Sequence, residues 1–309
     1  TVGLGTSTKK IGRLVRNIDK AERGDIRNRL LSIALDAQFI SELVGLYRKA
    51  GCHYPLFANL RNGRWYGKAW DGTCYFKSTD GHSRRRALSS AHLDPLGPRH
   101  APEGGSSSPH WAFSYTRLNL HLAAAAAEHG GCIVVDSTRS GKRFPDSFTS
   151  TIPIWCAVLN RLVAEDRARE GQDWDVDLHT PRWLSPSEAA QIKEKLDGWV
   201  EGLGGARASL QGRLARVLRK PLRPVWLCPD GLLLEGMLPA WDAASLTFTP
   251  VICVSASKLG CFSEAVTSRE AHRQRHSWVY VQGAGDDEEQ WCRGLTPEAF
   301  WSNSDALLG

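Results

Sequence analysis

The chain has 309 residues, 42% of them hydrophobic and 23% charged, with 39 Lys+Arg against 33 Asp+Glu and a formal charge of +6. That content can bury one large core or two medium ones, which excludes disorder for most of the chain. No run approaches eighteen unbroken apolar residues, so no transmembrane helix is expected.

The chain opens at Thr1 rather than Met, the mark of a fragment or a processed product, and its basic N-terminus lacks the apolar stretch of a secretory signal. Residues 1–24 read as a basic arm. From Asp25 to Lys49, Leu30, Ile33, Ala37, Ile40, Val44 and Tyr47 recur at helical spacing, and Gly51 follows as a stop. Tyr54 to Gly81 is rich in aromatics, and its Asn62-Gly63 and Asp71-Gly72 pairs predict turns between short strands. Residues 83–109 collapse into Ser, Pro, Gly, Arg and His and read as an exposed insertion.

Leu118–His129, with five consecutive alanines, predicts a helix closed by Gly130-Gly131. Cys132–Val135 is a wholly apolar strand of the buried parallel type. A second helix runs to about Glu170, with Pro153 marking a kink or an irregular start. Ser185-Pro186-Ser187-Glu188 is a capping box that opens a helix to about Leu203, and another spans Ala206–Leu218. Val225–Cys228, Val251–Val254 and Trp278–Val281 predict three late strands. Strands interleaved with helices indicate an α/β layered domain, with a mostly parallel central sheet flanked by helices. None of the eight cysteines forms a C-x-x-C pair and most lie in apolar runs, so they read as buried, reduced thiols of a reducing compartment.

The stretch richest in chemistry is Asp136-Ser137-Thr138-Arg139-Ser140-Gly141-Lys142-Arg143. It lies between a buried strand and a helix, where open α/β sheets place their ligands. Small residues let successive backbone N–H groups converge on an anion, and Arg139, Lys142 and Arg143 supply charge. The Ser137-to-Arg143 interval equals the C-x5-R of the phosphatase loop, with Ser in place of the nucleophilic Cys. A serine hydroxyl needs an adjacent base to attack, so a loop of that shape should hold a phosphoryl group without cleaving it. A polar βα turn that binds nothing is the plainer reading.

These residues form a set with Phe76-Lys77-Ser78-Thr79-Asp80-Gly81-His82, Arg117–Leu122, Ile152–Arg161 and Tyr280–Asp287. Together they resemble the fungal and plant initiator tRNA phosphoribosyltransferase family over about Asp25 to Trp301. The resemblance implies transfer of ribose 5-phosphate from phosphoribosyl pyrophosphate to the 2′-OH of adenosine 64 in the T-stem of initiator tRNA. It also implies that 25–301 is the N-terminal transferase domain interrupted at 83–109. Residues 302–309 would then begin a linker to a domain resembling dual-specificity phosphatases. A tRNA partner implies cytoplasm; neither DNA nor membrane is expected.

Under that resemblance the Ser137–Arg143 loop cradles donor phosphate. Lys77 could bind pyrophosphate and Asp80 or His82 could accept the hydroxyl proton, a turn-forming Asp-Gly being the plain alternative for Asp80; Asp136 stands beside the cradle as a further candidate catalytic acid, and Arg117 and His121, one helical turn apart, could face the same site or form a surface pair. Asp286 and Asp287, after a strand and a Gly-Ala-Gly turn, are candidates for Mg²⁺; acids that merely favour a helix N-terminus are the alternative. For tRNA phosphates the candidates are Lys9, Lys10, Arg13 and Arg16 in the arm. Arg213, Arg216 and Lys220 form a second set, opposite a Leu210–Leu214–Val217–Leu218 stripe. Two rival readings are a non-catalytic tRNA-binding module and a phosphatase-like enzyme.

Overall fold

The computed structural model describes residues 25–77, 111–139, 141–231, 245–259 and 278–308. The basic arm, the 83–109 insertion, Asp80, His82 and Ser140 therefore lie outside the described residues. The chain divides into two compact units. The first comprises the described parts of Thr1–Tyr75, Ala125–Pro145 and Val225–Gly309, and the second those of Phe76–Ala124 and Asp146–Pro224.

The architecture is α/β with a five-stranded parallel sheet in the order β2-β1-β3-β5-β4. The strands are β1 (Leu56–Asn59), β2 (Gly72–Cys74), β3 (Cys132–Asp136), β4 (Leu222–Leu227) and β5 (Thr249–Ser255). Phe57 lies opposite Gly72 on one side and Val134 on the other, and Val134 lies opposite Cys253. β3 and β5 are buried along their whole length, which explains the apolar runs Cys132–Val135 and Val251–Val254 within them. The Asn62 turn leads into a single 3₁₀ turn, Gly63–Tyr66, and β1 and β2 pair in parallel rather than as a hairpin.

Helix α1 (Ile26–Lys49) begins where the Asp25 side chain accepts a hydrogen bond from the Asn28 N–H. By length and apolar content alone it could cross a membrane. Here Leu30, Ile33, Ile40, Leu43 and Val44 pack with Ile133, Val135, Ile252 and Val254 as the core of the first unit. The same buried face also carries Asn28, Ser32 and Asp36 at four-residue intervals. Their partner is the 278–281 segment, which is not the strand its apolar sequence predicts. The Val279 N–H donates to Asn28 Oδ1 (3.3 Å), the Val281 N–H to Ser32 Oγ (2.8 Å) and the Tyr280 hydroxyl to Asp36 Oδ1 (2.8 Å). Beyond a single β-bridge at Val279, helix side chains take up these donors.

In the second unit, one widened turn over Ser147–Thr151 precedes helix Ile152–Arg169, so the irregular start at Pro153 is present. That helix packs against Leu196–Glu201 and Arg207–Val217. The capping box at Ser185 forms as read, but its helix stops at Lys193 and resumes at Leu196. Leu210, Leu214 and Leu218 are buried, whereas Val217 is exposed and lies off the stripe. Seven free cysteines are described, six of them buried.

Candidate active site

β1 connects to β2 at one edge of the sheet, while β3 connects onward to β4 at the other edge, with β5 between them. The boundary between β1 and β3 is thus the switch point at which open parallel sheets form a crevice beyond their strand ends. Three polar segments meet there: Asn59–Asn62 after β1, Asp136–Arg143 after β3 and Ser257–Leu259 after β5. Gln282–Asp287 joins them.

Arg61 is the centre of the cluster. Its Nε and Nη2 donate to the two oxygens of Asp136 (3.2 and 3.1 Å), and its Nη1 donates to Asp286 Oδ1 (2.9 Å). Nη2 also reaches the Ser137 carbonyl. Burial disfavours the guanidinium charge, but Asp136 and Asp286 outweigh it and hold the Arg61 pKa above its ordinary value. Asp136 is fully buried and also accepts from Asn59 Nδ2 (2.8 Å) and the Ser137 N–H (2.8 Å). With both oxygens filled, it anchors Arg61 and the start of the loop. Asn62 adds a second clasp, accepting from the Ser137 N–H (3.0 Å) and donating to its carbonyl (3.2 Å).

Ser137 and Thr138 are buried, and the Ser137 hydroxyl turns inward, 2.8 Å from Ser257 Oγ. Arg139, Lys142 and Arg143 are exposed, and Gly141 takes a left-handed φ of +93°. Arg139 reaches back to Asp287 (3.1 Å) and stands 3.9 Å from Asp286. The Gln282 side chain donates to the Lys142 carbonyl (2.7 Å). Gly283 has φ +64°, and a Cβ there would stand 2.5 Å from the Thr138 carbonyl oxygen. The 280–287 segment therefore lies against the loop so closely that only glycine fits.

As a Mg²⁺ site the acidic pair fits poorly at Asp286, whose carboxylate is 11% exposed and taken by Arg61 and approached by Arg139. Asp287, half-exposed, has more room. Among the described residues no three His, Cys, Asp or Glu side chains converge as a metal-ligand group.

Beneath the loop runs a second network. Ser257 Oγ donates to Asp36 Oδ2 (2.6 Å) and accepts from the Gly283 N–H (3.1 Å). Tyr66, also bonded to Ser137, accepts from the Gly285 N–H (2.9 Å). Burial raises the Asp36 carboxyl to about 8, against the opposing pull of Ser257 and Tyr280.

The family profile described as the Rit1 N-terminal domain matches residues 19–94 and 105–309. The chain belongs to this family. A Schizosaccharomyces pombe protein named only as uncharacterized is 36% identical over 288 residues, 91% of this chain and 53% of its own length. The tRNA A64-2′-O-ribosylphosphate transferase of Saccharomyces cerevisiae is 31% identical over 303 residues, 93% of this chain and 52% of its own length. The chain thus spans about half the length of both relatives. No solved structure matches.

Of the residues singled out in this Rit1-family sequence, Asp136–Arg139, Gly141–Arg143, Asp286 and Asp287 gather in the first unit. Lys77, Arg117 and His121 belong to the second. There the first turns of helix Ile152–Arg169 hold two of their segments: the Thr151 hydroxyl donates to the Lys77 carbonyl (3.0 Å), and Trp155 Nε1 to the Leu118 carbonyl (2.7 Å). Arg213 and Arg216 are exposed and Lys220 half-buried, also in that unit. Sequence reasoning missed Asn59, Arg61, Asn62, Tyr66, Asp36 and Ser257. The signal available was a polar Asn-Leu-Arg-Asn run after a buried strand and three polar residues at four-residue spacing on an apolar helix face.

Proposed function

We propose that this Rit1-family chain transfers ribose 5-phosphate from phosphoribosyl pyrophosphate to the 2′-hydroxyl of adenosine 64 of initiator tRNA, in the cytoplasm. The observation that carries the reading is the Ser137–Arg143 loop: exposed Arg139, Lys142 and Arg143 stand on a buried, fully bonded base at the sheet's switch point. The name of the Saccharomyces cerevisiae relative supplies the acceptor and the linkage.

In this reading the acceptor O2′ forms a bond to the anomeric carbon as the carbon–oxygen bond to pyrophosphate breaks. The hydroxyl proton passes to a base, for which Asp80 or His82 is the candidate. The loop cations hold the donor's phosphates and offset the charge that develops on the leaving pyrophosphate. The loop is phosphatase-like in spacing, but Ser137 Oγ faces Ser257 and is fully buried, which disfavours a phosphoseryl intermediate. Mg²⁺ arriving with the donor would add charge neutralisation through the donor's own oxygens, with Asp287 the carboxylate best able to join them. Arg213, Arg216 and Lys220 are the described candidates for tRNA phosphates; the 2′-hydroxyls of an A-form stem lie in its wide minor groove, so shape and phosphate contact suffice.

The test is transfer of labelled phosphoribosyl groups to initiator tRNA by this chain and by Arg143→Ala, with elongator tRNA as control. Loss of transfer in the variant supports the donor cradle. Tight tRNA binding without transfer by the unaltered chain would instead favour a docking module, a reading to which the half-length coverage of the relatives gives weight.

A further inference from the structure

The candidate cradle rests on a buried acid to which the catalytic reading gives no role. Asp36 is on helix α1, yet three segments converge on it. Tyr280 donates to Oδ1 from the 280–287 segment, Ser257 donates to Oδ2 from the end of β5, and Ser257 in turn touches Ser137 at the end of β3. The Gly283 N–H fills one lone pair of Ser257. The Lys258 N–H donates to the Tyr280 hydroxyl (3.0 Å), which leaves the Tyr280 proton for Asp36. Ser32, Asp36, Ser137 and Ser257 are each at most 2% exposed, so these groups bond to one another rather than to bulk solvent.

Counting donors and acceptors gives the network two states. With Asp36 ionised, the Ser257 proton points to Asp36, and Ser257 accepts from both Gly283 and Ser137. With Asp36 protonated, Oδ1 still receives Tyr280, so the carboxyl proton points to Ser257. Ser257 then accepts from Asp36 and Gly283, and its own proton turns away from Asp36, to Ser137 or to Tyr66, which bonds both serines. Protonation of Asp36 therefore re-orients the Ser257 hydroxyl beneath Ser137. It also removes a negative charge lying two hydroxyls beneath a loop built for anions.

We propose that Asp36 is a positioning residue for the Ser137–Arg143 loop, acting through Ser257 and Ser137, and that binding of a phosphate ester in the loop is coupled to Asp36 holding its proton. The proposal rests on the reading of that loop as the donor's phosphate cradle. Among the described residues, the charged and titratable groups around Asp36 are Lys258 after β5, Asp230 after β4, Tyr66, Tyr280 and, on its own helix, Glu42. Lys258 favours the ionised form; burial and Asp230 favour the protonated one, and the carboxyl is raised to about 8. Asp36 also contributes to the wall of a cavity of about 310 Å³ shared with Leu35, Glu42, Pro229 and Lys258, which gives the proton a route to exchange.

The probe is ribose 5-phosphate, whose phosphate has its second pKa near 6 and is dianionic at pH 7 and above. Its affinity is measured by calorimetry from pH 7 to 9 for the unaltered chain, Asp36→Asn and Ser257→Ala. Asparagine accepts from Tyr280 and donates to Ser257, so it mimics the protonated acid at every pH. The unaltered chain should lose about fivefold or more in affinity across this range and take up protons on binding near pH 8. Asp36→Asn should retain the pH 7 affinity at pH 9, and Ser257→Ala, which cuts the link while leaving the acid, should lose the pH dependence. A merely structural role would shift affinity equally at every pH. Equal pH dependence in the unaltered chain and Asp36→Asn overturns the proposal while leaving the cradle standing. No binding by the unaltered chain at any pH overturns the cradle and the proposal with it.

Discussion

Replacing Arg61 by Met tests whether one arginine holds the crevice together. The substitution keeps the length and apolar stem of the side chain and removes the charge. It leaves Asp136 fully buried with an uncompensated carboxylate, and Asp286, 11% exposed, loses its 2.9 Å partner. Breaking a buried pair from one side costs about 3–5 kcal/mol, and the 24% exposure of Arg61 places this case near the lower end, ~3 kcal/mol. Lysine at 61 keeps the charge but cannot span two carboxylates and a carbonyl, so Arg61→Lys should cost ~1–2 kcal/mol. Asp136→Asn removes the orphaned charge. The double variant Arg61→Met/Asp136→Asn should therefore be more stable than the sum of the single losses implies, with a coupling of about 1.5–3 kcal/mol. Urea unfolding of the four proteins of the cycle and of Arg61→Lys gives each quantity. An Arg61→Met loss below about 1 kcal/mol, or single effects that simply add, would refute the claim that Arg61 and Asp136 form one unit.

Three further outcomes follow from the same geometry. Gly283→Ala places a Cβ 2.5 Å from the Thr138 carbonyl at φ +64°, so it should cost ~2 kcal/mol or more in denaturant melts and weaken ribose 5-phosphate binding. Ser32→Ala removes the acceptor of the buried Val281 N–H; a loss of ~1–3 kcal/mol is expected, with faster amide exchange at Val281 as its local signature. Asp36 should make the protein less stable as pH rises. Its folded pKa, about 8, lies above the ordinary 3.8, so the folded chain keeps a proton that the unfolded chain releases between those values. The stability it contributes is present in full below pH ~4, declines by up to ~1.4 kcal/mol per pH unit, and is lost above pH ~8. Unfolding curves at pH 5, 6, 7 and 8 should show this slope in the unaltered chain and a shallower one in Asp36→Asn; parallel slopes would count against a buried, protonated Asp36.

Much of the scaffold was legible because its signals are local. The period of helix α1, the Ser185 capping box and the apolar runs Cys132–Val135 and Val251–Val254 each act through neighbouring residues or through burial. The misreading of Trp278–Val281 has a physical cause of the same kind. Its sequence has strand composition, and its backbone does need partners, but Asn28 and Ser32 supply two of them from a helix some 250 residues away in the chain, while Asp36 takes the Tyr280 hydroxyl. Period and composition register that a backbone will be buried; they carry no information about which groups will satisfy it. The break at Glu194–Lys195 was equally hidden, since no Gly or Pro marks it.

The candidate site divides along the same line. The Asp136–Arg143 loop stood out in the sequence because it is a contiguous run of small and basic residues after a strand, the composition we propose to cradle an anion. Its supports could not, because each works only across segments. Arg61 reads as one more surface arginine until Asp136 and Asp286, 75 and 225 residues distant, are seen on either side of it. The sequence placed Asp136 and Asp286 with catalysis and metal binding on the sound ground that acids beside a phosphate cradle need a purpose. In the folded chain both carboxylates are engaged by Arg61, and the guanidinium and Asn62 hold the loop's first peptide. The proposed anion cradle would need this arrangement. Cations left free to move would gain little from meeting a phosphate, since the order they lose on binding offsets the attraction. Fixing Ser137 from below while leaving Arg139, Lys142 and Arg143 to solvent divides the two tasks, rigidity in the buried network and charge at the rim. The acids at the base belong to the first task.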